Sequence, residues 1–264
     1  MKFYTFGAAE NPVLLLLPGT CCHWQANFAE VTPLLTPSFH VVCVSYDGFD
    51  ETEDTVFPTM AEETAKIEAY IQSQFGGRIC AAYGCSLGGS FVSLLVQRRV
   101  IHLDHAILGS SDMDQGGGLA AILQGKVMAP VLAGILHKGR LPGWMQHWVN
   151  KQPPEVREYL EKFVALFCGG GRMRFVKKAS IYNQFYSDLV TPVGEDIAVE
   201  GTTVHCFYAV KMGEQYEARY RRHFRAPDIR RYDLRHEELL VHYPESWAAE
   251  VCACCGLTPG KAPR

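Results

Sequence analysis

Five short runs, Val13 to Leu17, His40 to Tyr46, Arg78 to Tyr83, His105 to Leu108 and Thr203 to Val210, are apolar at successive positions and bounded by turn residues. A strand with one wet face alternates apolar and polar side chains, whereas a strand apolar throughout has to be covered on both faces. These runs therefore predict parallel strands sandwiched between helices. A sixth and shorter strand is expected at Ile229 to Tyr232.

The segments between the runs read as the covering helices. Thr59-Met60-Ala61-Glu62 is a capping box, followed by Ile67, Tyr70, Ile71 and Phe75 on one face and a Gly76-Gly77 stop. Another helix should open at Ser86 or Leu87 and end at Arg98-Arg99, and a last one should start at Pro244, bury Trp247 and Val251 and stop at Gly256. Strands and helices in alternation predict a doubly wound, mostly parallel α/β sheet. Between about Ser110 and Thr203 the alternation lapses into helical patterns at Leu119 to Leu136, Pro154 to Phe167 and Met173 to Leu189. Gly116-Gly117-Gly118 and Gly169-Gly170-Gly171 interrupt them. The expected organisation is a core of residues 1–111 and 201–264 carrying a helical insertion of residues 112–200 over the carboxyl edge of the sheet.

Charge narrows the range of partners. The 264 residues carry a formal net charge of −3, which gives no general attraction to polyanions, so nucleic acid is not an expected ligand. The N-terminal residues lack the charged and then apolar layout of a secretion signal, and no apolar run is expected to reach the length of a membrane span; a cytoplasmic location follows as the expectation. Most of the ten cysteines lie inside apolar runs, as Cys43, Cys80 and Cys206 do, where a reduced thiol packs as a small hydrophobe. Cys252-Ala253-Cys254-Cys255 has no second ligand cluster at metal-binding spacing, so core packing is expected there and neither a metal nor a cofactor is implied.

At the end of the third run stands Gly84-Cys85-Ser86-Leu87-Gly88, a match to G-x-S-x-G, in which the central residue sits on a sharp strand-to-helix turn. The glycines two positions before and after are needed because strand and helix approach too closely for side chains. Centred on Cys85, those positions would hold Tyr83 and Leu87, which are bulky; centred on Ser86, they hold Gly84 and Gly88. Ser86 is therefore the candidate nucleophile and Cys85 its neighbour.

With this motif in its strand-to-helix context, the chain resembles the α/β-hydrolase family over nearly its whole length. The resemblance implies an α/β-hydrolase fold with a helical cap, and a catalytic triad in the order nucleophile, acid, histidine. In the slot of the oxyanion loop stands Leu16-Leu17-Pro18-Gly19-Thr20, with Pro18 where many relatives have histidine; the backbone N–H groups of Thr20 and Leu87 would form the oxyanion hole. The histidine slot after the last strand holds His236, with His242 as its competitor. The acid stays open between Glu214, beyond the run ending at Val210, and Asp112, beyond the preceding strand; Glu217 and Asp114 are further carboxylates in the same two segments. The activity implied is that of a serine hydrolase acting on an ester or thioester of a small hydrophobic molecule through an acyl-enzyme. An acyltransferase, a carbon–carbon bond hydrolase, or a binding protein that turns its ligand over slowly or not at all are the alternatives.

Overall fold

Covering both faces of the apolar strands produces a seven-stranded sheet between two layers of helices. The structure is a computed structural model and describes residues 1–168 and 173–258. The strands are β1 (Lys2–Phe6), β2 (Val13–Leu17), β3 (His40–Ser45), β4 (Arg78–Cys85), β5 (His102–Gly109), β6 (Thr203–Ala209) and β7 (Asp228–Tyr232). In the first half lie the helices α1 (Trp24–Phe28), α2 (Thr32–Leu35), α3 (Met60–Phe75) and α4 (Leu87–Arg98). Between β5 and β6 come α5 (Gly118–Lys138), α6 (Gly143–Asn150), α7 (Pro154–Cys168) and α8 (Lys178–Val190). The chain closes with α9 (Glu214–His223), α10 (Glu238–His242) and α11 (Pro244–Cys254).

The strand order is β1-β3-β2-β4-β5-β6-β7, parallel throughout except for β1, which pairs antiparallel with β3. The period of two then sorts every strand. Leu14 and Leu16 of β2, Val41 and Cys43 of β3 and Ala81 and Tyr83 of β4 face α1, α2 and α11, where Phe28, Leu35, Trp247 and Val251 meet them. Leu15, Leu17, Val42, Val44 and Ala82 face the opposite layer, with Ile67 and Ile71 of α3 and Phe91 and Leu95 of α4. Leu14 to Leu17 are all 0–1% exposed, and burying a leucine contributes about 2 kcal/mol. Cys43, Cys206 and Cys252 are fully buried in these layers, as expected of packing thiols.

The capping box forms: the Glu62 N–H donates to Thr59 Oγ1 at 3.2 Å, and α3 stops at a left-handed Gly76 with φ 63°. The edge strand β1 was not among the expected strands. It is five residues long, only partly buried and paired on one side, so its sequence carries little of the double-faced pattern that marks the others. The helix expected over Met173 to Leu189, α8, begins at Lys178 rather than Met173, because Met173 and Val176 are drawn into the core by a turn before the helix starts. The Gly169-Gly170-Gly171 break lies outside the described residues. One further expectation needs correction. By length and composition, α5 is apolar enough to cross a bilayer, although Lys126, Pro130 and small residues break up its apolar run. Its 18-residue stretch is 33% buried, and Ala121, Gly125, Ala129 and Ala133 form the buried stripe at which α5 packs on α8.

Candidate functional site

Strand β4 hands over to α4 within one residue, Ser86, whose backbone sits at φ 50° and ψ −110°, a conformation that a side-chain-bearing residue keeps only when its surroundings impose it. The two glycines are what permit it. A Cβ on Gly84 would lie 2.0 Å from the backbone carbon of Gly88, and one on Gly88 would lie 2.2 Å from the Leu17 carbonyl oxygen at the end of β2. The neighbouring Cys85 is 2% exposed and burial pushes its thiol well up, so it is held as a protonated packing group. Ser86 alone in the stretch from Ala81 to Ser90 escapes full burial.

Across from Ser86, the loop between β7 and α10 presents His236. The serine hydroxyl lies 3.1 Å from His236 Nε2, a hydrogen bond between residues 150 positions apart. Helix α7 holds the loop: Tyr159 donates its hydroxyl to the His236 carbonyl oxygen at 3.0 Å, and the Phe163 ring meets the imidazole edge-on at 5.8 Å. Burial pushes the imidazole down to about 4, so the ring is neutral at ordinary pH.

Among the described residues no carboxylate hydrogen-bonds to His236. Glu214 is the exposed first residue of α9 and does not reach the imidazole. The strand end is followed by one turn of 3-10 helix, Val210–Met212, and the helix that Glu214 opens leads away. Asp112 is partly buried, and burial together with the charge of Asp114 raises its carboxyl; Arg219 donates to its backbone oxygen at 2.6 Å. Asp114 pairs with Arg219, and Glu217 with Arg221 and Arg231. None of these four acids is brought to the histidine. His242, at the far end of α10, has its ring 6.1 Å from that of Tyr159 and no contact with Ser86.

The carboxylate that does enter the site is Glu237. It is 3% exposed and lies beneath the turn, with Oε1 accepting the Ser86 N–H at 2.8 Å and Oε2 accepting the Tyr83 hydroxyl at 3.1 Å. Its own N–H donates to Ser110 Oγ at 3.1 Å, and its backbone is left-handed with φ 54°. Burial raises its carboxyl to about 7, with the hydrogen bonds from Ser86 and Tyr83 acting against the rise. Sequence reasoning passed over this residue. Its one local signal was adjacency to the candidate histidine, and its partner Tyr83 is 154 positions away.

On the other side of Ser86 lies the turn after β2. The Gly19 N–H donates to Asn27 Oδ1 at 2.8 Å and the Cys21 N–H to Gln184 Oε1 at 2.7 Å, so both neighbours of Thr20 are fixed by buried side chains. The Thr20 N–H between them has no acceptor among the described residues. A Cβ placed on Gly19 would come within 3.7 Å of Ser86 Cβ, a measure of how closely this turn approaches the serine. Leu87 is the first residue of α4, where backbone N–H groups have no intrahelical partner and the helix dipole favours negative charge. Thr20 and Ser86 form the floor of an apolar cavity of about 390 Å³ whose walls include Met128, Leu132, Met145, Trp148 and Phe163.

Residues 14–250 match the model of the alpha/beta hydrolase family. No curated protein matches the sequence. Among solved structures, the chain is similar to an alpha/beta hydrolase family protein from Desulfitobacterium hafniense, with a TM-score of 0.75 at 17% identity over 95% of this chain and 98% of that one. A hydrolase from Pseudomonas aeruginosa gives 0.71 at 17% identity over 96% and 93%. The enol-lactonase from Burkholderia xenovorans gives 0.69 at 14% identity over 97% and 96%.

Proposed function

As the chain belongs to the alpha/beta hydrolase family, we propose that it is a serine hydrolase that cleaves an ester or thioester of a small hydrophobic molecule. The observation that carries this reading is the 3.1 Å contact of Ser86 Oγ with His236 Nε2 at the floor of an apolar cavity. In this reading His236 takes the hydroxyl proton as Ser86 Oγ attacks the carbonyl carbon. The Thr20 and Leu87 N–H groups hold the resulting oxyanion. The tetrahedral intermediate expels the leaving alcohol or thiol with the proton from His236, and water, activated by the same imidazole, releases the acid from the acyl-enzyme. The insertion of residues 112–200, with helices α5 to α8, acts as the cap that supplies the apolar walls. The lactone named for the Burkholderia xenovorans neighbour is an internal ester, and the same sequence of steps would open one.

One observation favours a slower variant of this reading. With no carboxylate hydrogen-bonded to His236 among the described residues, the imidazolium formed during attack lacks the partner that the acid of a full triad supplies, and that catalytic contribution is forfeited. A binding protein with slow turnover lies at the end of that scale. The test is incubation with an activated aryl ester and with a fluorophosphonate, followed by mass spectrometry of the intact protein. The expected result is a stoichiometric adduct on Ser86, and a Ser86→Ala variant at least about 10³-fold less active. A protein that leaves both probes untouched, or a variant with undiminished turnover, removes the assignment.

A further inference from the structure

The cap turns an apolar face outward that hydrolysis of a soluble ester does not require. On α5, Leu119, Leu123, Val127 and Val131 recur at every fourth residue and are 86%, 66%, 54% and 38% exposed. That spacing gathers them into one stripe, beside the stripe of Met128 and Leu132 that lines the cavity. On α6, Trp144 and Trp148, again four apart, are 71% and 54% exposed. Single exposed apolar residues are ordinary, but two helices bearing this many are a surface built to be covered.

Charge identifies the cover. From Gln115 to Pro154 there is no aspartate or glutamate, in a chain whose overall formal charge is −3. The same stretch has Lys126, Lys138, Arg140 and Lys151, all exposed, and none pairs with a carboxylate among the described residues. An apolar helical face with exposed tryptophans and a one-sided excess of cations is complementary to the boundary of an anionic bilayer. A second copy of this chain is a poor cover, since an isologous contact would set these cations against themselves. The face is also continuous with the cavity: Trp148 is 54% exposed and at the same time lines the space above Ser86.

We propose that the α5–α6 face of the cap docks the protein on an anionic phospholipid bilayer, so that acyl esters dissolved in the membrane enter the cavity past Trp148 without crossing water. The second half of that statement rests on the hydrolase reading above, and the first half does not. Because the opposite stripe of α5 is buried on α8, the contact is peripheral, with the helix lying along the surface.

The experiment is co-sedimentation of the full chain, as wild type and as Ser86→Ala, with vesicles of equimolar phosphatidylglycerol and phosphatidylcholine and with vesicles of phosphatidylcholine alone. Both proteins should bind the anionic vesicles alike and leave the neutral ones. A cation near such a surface contributes about a fivefold factor, so Lys138→Glu with Arg140→Glu should weaken binding by about 30-fold or more. Leu119→Ser, Leu123→Ser and Trp144→Ser together should abolish it. Because these positions are exposed, both variants should keep the wild-type unfolding midpoint, which separates lost docking from lost folding. Absence of binding, equal binding to neutral vesicles, or a dimer in gel filtration that the same substitutions dissolve would overturn the proposal. Vesicle binding by a protein whose Ser86 never forms an adduct would support docking while removing the hydrolase reading.

Discussion

Among the described residues no carboxylate hydrogen-bonds to His236, and the burial that keeps its ring neutral also disfavours the imidazolium that the proposed mechanism forms. With its imidazole held down at about 4, the ring stays able to accept the Ser86 proton far into the acid range. The acid limb of the kcat/KM profile should therefore lie near pH 4, and a limb near the ordinary value of about 6.5 would show that the ring titrates as a solvated histidine. Glu237 titrates in the opposite sense. Its carboxyl is raised from an ordinary 4.5 to about 7, so the folded protein binds more protons than the unfolded chain between those values, and stability falls as pH rises through that window. His236 binds fewer protons when folded, and makes stability rise between about pH 4 and its ordinary value near 6.5; over the shared window the two slopes oppose. Glu237→Gln removes one of them. Urea melts of variant and wild type from pH 4.5 to 7.5 should show the variant gaining on the wild type by on the order of 3 kcal/mol, and a constant difference would mean that Glu237 does not titrate there.

At the scale of elements, the turn between β4 and α4 depends on the absence of two side chains. Gly88→Ala would drive a methyl group into the Leu17 carbonyl of β2, an obstacle that is backbone and cannot swing aside. It should cost about 3 kcal/mol or more and take the activity with it. Gly134→Ala, inside α5 with open space around its Cβ position, should instead stabilise by up to about 1 kcal/mol; thermal unfolding of the two variants reads both signs. Much of this architecture was legible because it rests on local patterns. Doubled hydrophobicity marked β2 to β6, and Gly84 and Gly88 singled out Ser86 over Cys85; His236 was marked by the slot after the last strand that the family resemblance implies. What was not legible depends on pairing across the chain. The edge strand β1 is defined by its register against β3, and Glu237 by a tyrosine on a distant strand. The expectation of an acid at Glu214 or Asp112 came from family resemblance, and the single 3-10 turn after β6 followed directly by α9 leaves Glu214 facing solvent.

For the molecule as a whole, the helices between β5 and β6 supply most of the wall of the cavity that holds Ser86. The cavity of about 390 Å³ has mostly apolar walls drawn from α5, α6, α7 and α8, so turnover of aryl esters should increase with acyl length until the space is filled. Leu132→Trp, which places a larger side chain in that wall, should shift the optimum to shorter chains while leaving acetate esters nearly unaffected; an unchanged length profile would mean that the acyl group lies elsewhere. The link from the Ser86 N–H to Glu237 Oε1 spans 151 positions. During synthesis the strained turn at Ser86 leaves the ribosome long before its buried acceptor does, and no amino-terminal fragment ending before β7 can complete it. The serine should thus stay unreactive toward a fluorophosphonate through most of translation, and its labelling on stalled nascent chains of increasing length would time the moment at which β7 and its loop close onto the sheet.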